Sequence, residues 1–194
     1  QYEKAQNLDA YNQFVPKGIE KLLDCKSILD VELGDYAEIQ GSVVTINLDA
    51  GKFSDSQLYL RTMKQAFEVV NDNVKVKDGI MISQDSGLTN TKILFRENVD
   101  RAIEFAIETL HTIDSNIHLV DKEKIFVLNF SKHQCGMTGC EERLLPYIYS
   151  EEDTVLSNNI EFLRRAGVKL VLTEYAAEHC NTKYAFRYIG FITD

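Results

Sequence analysis

The sequence predicts an α/β fold: a central, mostly parallel sheet of about four to five strands flanked by helices, preceded by an N-terminal helical arm over residues 1–30. Three observations predict it. Short apolar runs that end in turns alternate with longer amphipathic stretches, the pattern of strands joined by helical crossovers. The composition is that of one globular core, with 194 residues, 44% of them hydrophobic and 26% charged. Only two prolines occur and no Gly/Ser-rich tract marks a linker, so residues 1–194 read as a single domain.

The elements follow in order. "NLDAYNQFVPKGIEKLLDCKSILD" reads as two helical pieces broken before Pro16. "GSVVTINLDAG" is a short apolar run ending in a turn, a buried strand. "SDSQLYLRTMKQAFEVV" spaces Leu58, Met63, Phe67 and Val70 as a helix does, with Ser54 as its N-cap. "DGIMISQDSG" is a second strand. "ENVDRAIEFAIETLHTI" sets Val99, Ile103, Ala106, Ile107 and Leu110 on one helical face. "KIFVLNF" is a third buried strand, and "GCEERLLPYIYS" opens a helix that Pro146 limits. The stretch from Thr154 to Thr173 begins helical and becomes extended from Val168, and "KYAFRYIGFITD" closes the chain as a strand.

Charge and cysteine usage bound the function classes. The formal charge is −9 and no run of Lys or Arg is present, which argues against a nucleic-acid partner. No apolar stretch approaches the roughly 18 residues a membrane span needs. Cys25, Cys135, Cys140 and Cys180 are too scattered for a disulfide scaffold and predict reduced thiols in an intracellular setting, cytoplasm or organelle matrix. The chain starts at Gln1, which leaves a removed targeting segment open.

Ligands of parallel sheets sit at the carboxyl ends of strands. Asn47-Leu48-Asp49, Ser83-Gln84-Asp85 and Lys132 to Cys135 all fall at such ends. The third is the richest, since "KIFVLNFSKHQCGMTGC" runs from an apolar strand into Lys132, His133, Cys135 and Cys140. Cys140 stands five residues beyond Cys135 with no second Cys pair, and reads as a small apolar residue at a helix start.

The order of elements resembles the β-class carbonic anhydrases. "VVTINLDAGKFSD" stands where that family's Cys-x-Asp-x-Arg strand end belongs, "GIMISQDSG" with the following helix resembles its second motif, and "IFVLNFSKHQCGM" resembles its His-x-x-Cys-Gly strand end. The resemblance implies a zinc site of two cysteines, one histidine and a metal-activated water. It also implies the positions. Asp49 keeps the catalytic Asp as a vestige, whereas Asn47, Gly51 and Lys132 replace the first Cys, the Arg and the His. Only Cys135 stays in register as a ligand. Two functions therefore stand as expectations. The first is a carbonic-anhydrase-like protein without activity or cofactor, serving as a structural or interaction subunit. The second is an active zinc enzyme hydrating CO₂ through Asp49, His133 and Cys135. Whether the chain is an enzyme stays open between them.

The family's dimers imply a homodimer or larger complex. Leu8, Tyr11, Phe14 and Val15, then Ile19, Leu22 and Leu23, make the arm apolar, so it is expected to cover another subunit; the alternative is that it folds back on its own.

Overall fold

A computed structural model describes residues 15–48, 55–83, 90–117, 124–140, 143–181 and 184–192. Among the described residues six strands form one sheet: β1 (Tyr36–Leu48), β2 (Ile80–Ser83), β3 (Thr91–Arg96), β4 (Lys124–Cys140), β5 (Arg143–Tyr149) and β6 (Leu170–Leu172). The helices are α1 (Ile19–Leu22), α2 (Ser56–Val76), α3 (Val99–Asn116), α4 (Glu151–Asn158), α5 (Ile160–Arg165) and α6 (Glu174–Glu178).

The sheet order is β2-β3-β1-β4-β5, with β6 paired to β4 off that path. Every pairing is antiparallel except β4 with β6. The mostly parallel sheet expected from the strand–helix alternation is therefore wrong. Each helical crossover skips one strand, β1 to β2 over β3 and β3 to β4 over β1, so the strands it joins are parallel but not adjacent. This is the βαββαβ split arrangement.

Two hairpin partners explain the misreading. β3, which is not among the expected strands, alternates Ile93 and Phe95 toward the helices with Lys92 and Leu94 toward the other face. The stretch expected to be a helix around Pro146 is strand β5. It lies beside β4 at the end of the sheet order, with Pro146 opposite Met137, where a missing N–H is tolerated.

The two long helices were legible. Asp55 caps α2, its Oδ1 accepting from Gln57 N at 2.8 Å. The expected cap Ser54 lies outside the described residues. Asn98 caps α3 by accepting from Arg101 N at 2.9 Å. Both helices pack on one face of the sheet, where Val70, Ile103, Ala106 and Leu110 meet Val44, Ile46, Phe95 and Phe126. Ile107 departs from that face and is exposed. Asn73 Nδ2 donates to Thr109 Oγ1 at 2.9 Å and ties α2 to α3.

The opposite face is covered by the chain's own N-terminal segment. Val15, Ile19, Leu22, Ile28 and Val31 pack on Ile39, Val43, Ile82, Leu94, Cys135 and Met137. The described part of the arm thus folds back on its own sheet instead of reaching for another subunit, because that sheet face is otherwise bare and apolar. Leu8, Tyr11 and Phe14 lie outside the described residues. At the far end of the same face, Ile160 and Leu163 of α5 cover Ile125, Val127 and Val171. The closing stretch expected as a strand, residues 184–192, forms no regular element. No helix among the described residues is long and apolar enough to cross a membrane.

Candidate functional site

Between the two apolar clusters of the second face, β4 carries polar side chains. Its inward positions run Ile125, Val127, Asn129, Ser131, His133, Cys135 and Met137. The alternation of the strand places Asn129, Ser131 and His133 side by side on that face. They meet Asp153 of α4 and Lys92 of β3.

Asp153 is the centre of this cluster. Its Oδ1 accepts from Asn129 Nδ2 at 3.1 Å. Its Oδ2 lies 3.4 Å from His133 Nδ1 and 3.6 Å from Lys92 Nζ. Both His133 and Asp153 are buried. Burial alone would push the Asp153 carboxyl up, but the His133 ring, the Lys92 charge and the Asn129 amide together hold it below the usual carboxylate range. His133 Nε2 stands 3.1 Å from the Gly41 carbonyl of β1, an acceptor, so that nitrogen donates. Both ring nitrogens therefore face oxygen atoms. Ser150 caps α4, its Oγ accepting from Asp153 N at 3.1 Å, and Thr173 Oγ1 donates to Asn129 Oδ1 at 3.4 Å.

This geometry places the residues expected in a zinc site. His133 and Cys135 do share a face. The imidazole turns Nε2 to the Gly41 carbonyl and Nδ1 to Asp153. Cys135 sits in apolar packing, where burial first and the Asp153 charge second push its thiol up to about 12, so it stays protonated. Lys132, on the other face of β4, is exposed. Asn47 is at the end of β1, where its Oδ1 accepts from Arg164 Nη2. Asp49 and Gly51 lie outside the described residues. Among the described residues no group of three His, Cys, Asp or Glu side chains is arranged to hold a metal ion. Sequence reasoning missed Asp153 and Lys92. The available signals were Asn129, a polar residue inside "IFVLNF", and the spacing of Ser150 and Asp153, that of a capping pair.

A second feature is a cleft of about 380 Å³ at the end of β1, lined by Asn47, Asn90, Ser157, Asn158, Glu161 and Arg164. One wall is the sheet end, where Ile46 of β1 pairs with Thr91 of β3. The other is α4 and α5. Arg164 Nη1 donates to Glu161 Oε2 at 2.7 Å, so cation and carboxylate both line the opening. Amides, a hydroxyl and one guanidinium make it a polar recognition surface.

Comparison with solved structures decides the fold. A bacterial light-regulated adenylyl cyclase superposes with a TM-score of 0.74 at 13% identity, covering 94% of this chain and 56% of its own. The fold is that of nucleotide cyclase domains. The guanylate cyclase domain of a Catenaria anguillulae protein, solved in complex with GTP, gives a TM-score of 0.61 at 12% identity over 77% of this chain and 86% of its own. A guanylyl cyclase domain from the aquatic fungus Blastocladiella emersonii, described as a non-canonical dimer, gives 0.57 at 11% identity over 74% and 84%. The chain spans a little over half the length of the light-regulated cyclases it matches. No family model matches the chain. No curated protein sequence matches it either.

These likenesses overturn the resemblance to β-class carbonic anhydrases and both functions drawn from it, the inactive subunit and the zinc-dependent CO₂ hydratase. The shared element order misled because a βαββαβ chain and a parallel α/β chain alternate strands and helices in the same rhythm. The difference lies in strand pairing, which the rhythm does not encode.

Proposed function

We propose that the chain is a nucleotide cyclase-type domain. It binds a purine nucleoside triphosphate, joins the ribose 3′ oxygen to the α phosphorus, and releases pyrophosphate with the hydroxyl proton passing to water. The observation that carries the reading is the likeness of this fold to adenylyl and guanylyl cyclase structures, over 74% to 94% of this chain.

Nucleoside triphosphates travel with Mg²⁺, which one or two protein carboxylates hold together with phosphate oxygens. The ion neutralises phosphate charge. The sequence offers two carboxylates in segments that adjoin described strand ends. Asp49 follows Leu48, the last residue of β1, and Asp85 lies in the connection from β2 to β3. Those strand ends are neighbours, since Thr91 of β3 pairs with Ile46 of β1. Both carboxylates fall outside the described residues, and their assignment rests on this chain position. The polar cleft at Asn47 and Asn90 opens at the same end and supplies amides for a base or ribose. In phosphoryl transfer the protein contributes mainly positioning and charge, which suits a site of this composition. A homodimer belongs to the same reading, since one of the similar guanylyl cyclase domains is described as dimeric.

The experiment is calorimetric titration with Mg-ATP and Mg-GTP, in wild type, Asp49→Asn and Asp85→Asn. Saturable binding that weakens at least about tenfold, or about 1.4 kcal/mol, in both variants supports the reading. Absence of binding to either nucleotide refutes it.

A further inference from the structure

Helix α4 is docked in an unusual way. Among the described residues of α4, Asp153 alone is buried. Helices ordinarily dock through an apolar stripe, as α5 does with Ile160 and Leu163. Here the fully buried contact is a carboxylate, and the apolar contact is Leu156, only partly buried against the Ile125, Val127 and Val171 cluster. It is met by Lys92 from β3, His133 and Asn129 from β4, and the Ser150 cap, while Cys135 stands nearby as a neutral thiol. Taking such a group out of water is costly, and an apolar residue of similar volume docks a helix as well or better. What the charge adds is direction. An apolar contact tolerates a helix that slides or rolls. A carboxylate that accepts from Asn129 and lies 3.4 Å from His133 Nδ1 and 3.6 Å from Lys92 Nζ, side chains of two strands, keeps all three neighbours at one register only. His133 cannot follow a shifted helix, because its Nε2 is tied to the Gly41 carbonyl on β1.

The helix so fixed carries the cleft. Ser157 stands four residues beyond Asp153, one turn along the same helix, and Asn158 ends it. We infer that Asp153 is the positioning residue of the cleft's helical wall: its carboxylate, buried between His133 and Lys92, sets the register of α4 and thereby where Ser157 and Asn158 stand opposite Asn47 and Asn90. The cleft's part in nucleotide binding rests on the proposed function; the anchoring of α4 does not.

The test uses the full chain with Asp153→Asn and with the pair Lys92→Met/Asp153→Asn. The single variant leaves half-buried Lys92 beside a neutral amide and lowers Tm. The pair removes that unpaired cation and recovers most of the Tm. In both, hydrogen exchange at amides 155–165 accelerates at least about tenfold while β1 and α3 stay protected. In both, the Kd for the Mg-nucleotide that wild type binds rises by a similar factor. Unchanged exchange at 155–165, or affinity recovered along with Tm in the pair, overturns the inference and leaves Asp153 a residue of stability alone. If wild type binds neither Mg-ATP nor Mg-GTP, the cyclase reading falls, and the exchange result by itself decides the anchoring.

Discussion

Replacing Ile19 by Ala tests whether the N-terminal segment belongs to this subunit's own core. Ile19 is fully buried, in a cluster with Leu22, Val43, Ile82, Leu94 and Met137. The change removes three carbons, worth about 0.8 kcal/mol each in transfer, so about 2.4 kcal/mol. The void left behind adds to this, because the wall opposite is sheet backbone that cannot collapse into it; buried Ile→Ala changes cost about 2–5 kcal/mol in all. A loss of about 3–4 kcal/mol is expected. With a urea slope of about 2 kcal/mol/M, the unfolding midpoint falls by roughly 1.5–2 M. Urea titration followed by circular dichroism measures it, with mass by light scattering recorded on the same samples at several concentrations. A loss below about 1 kcal/mol would refute the reasoning. So would a loss that vanishes at high protein concentration with a change of mass, because the segment would then be stabilising a contact between subunits.

Gly136→Ala places a Cβ 2.5 Å from the Asp35 carbonyl oxygen and 2.8 Å from the Tyr147 ring. Since backbone must move, a cost at or above the upper end of the usual overpacking range, about 3 kcal/mol, is expected in the same titration. Alkylation by iodoacetamide at pH 8 labels exposed Cys140 and spares buried Cys135 and Cys180 until denaturant is added, read by peptide mass spectrometry; fast labelling of Cys135 in the native protein would contradict a thiol pushed up to about 12. Asp153 supplies a pH dependence whose sign is fixed. Its folded pKa is depressed, so its stabilisation is present above the unfolded value of about 3.9 and is lost as pH falls through the folded value. Tm of the wild type should therefore drop more between pH 5 and pH 3 than Tm of Asp153→Asn, and parallel curves would show that the carboxylate is not held as described.

The two long helices were readable because each satisfies a local rule. The periodicity of Val99, Ile103, Ala106 and Leu110 identifies α3, and its cap lies where Asn98 precedes the apolar run. Strands β1 and β4 were readable from their apolar runs, though shorter than observed, because β4 continues through polar His133 and Gln134 to Cys140. Pairing was not readable. Whether Ile46 neighbours Thr91 or Phe126 depends on contacts distant in sequence, and β1 in fact pairs with both. The candidate site shows the same limit. His133 and Cys135 stand out in the sequence as potential ligands by their place after an apolar strand and by the resemblance to a His-x-x-Cys-Gly strand end. Their chemistry is set by Gly41, Lys92 and Asp153, 92, 41 and 20 residues from His133, which no local pattern connects. Lys92 reads locally as an ordinary polar position of a strand, and Asp153 as an ordinary first-turn acid. Only the fold brings them together as an ion pair with a buried carboxylate.

The central claim is that this fold serves nucleotide cyclisation. Its most direct test is incubation of the purified chain with Mg-ATP and, separately, Mg-GTP, with cyclic nucleotide and pyrophosphate quantified together by liquid chromatography and mass spectrometry. The account predicts equal amounts of the two products from at least one nucleotide, formed by wild type and lost in Asp49→Asn. Absence of cyclic nucleotide from both, or formation that Asp49→Asn leaves untouched, would contradict it.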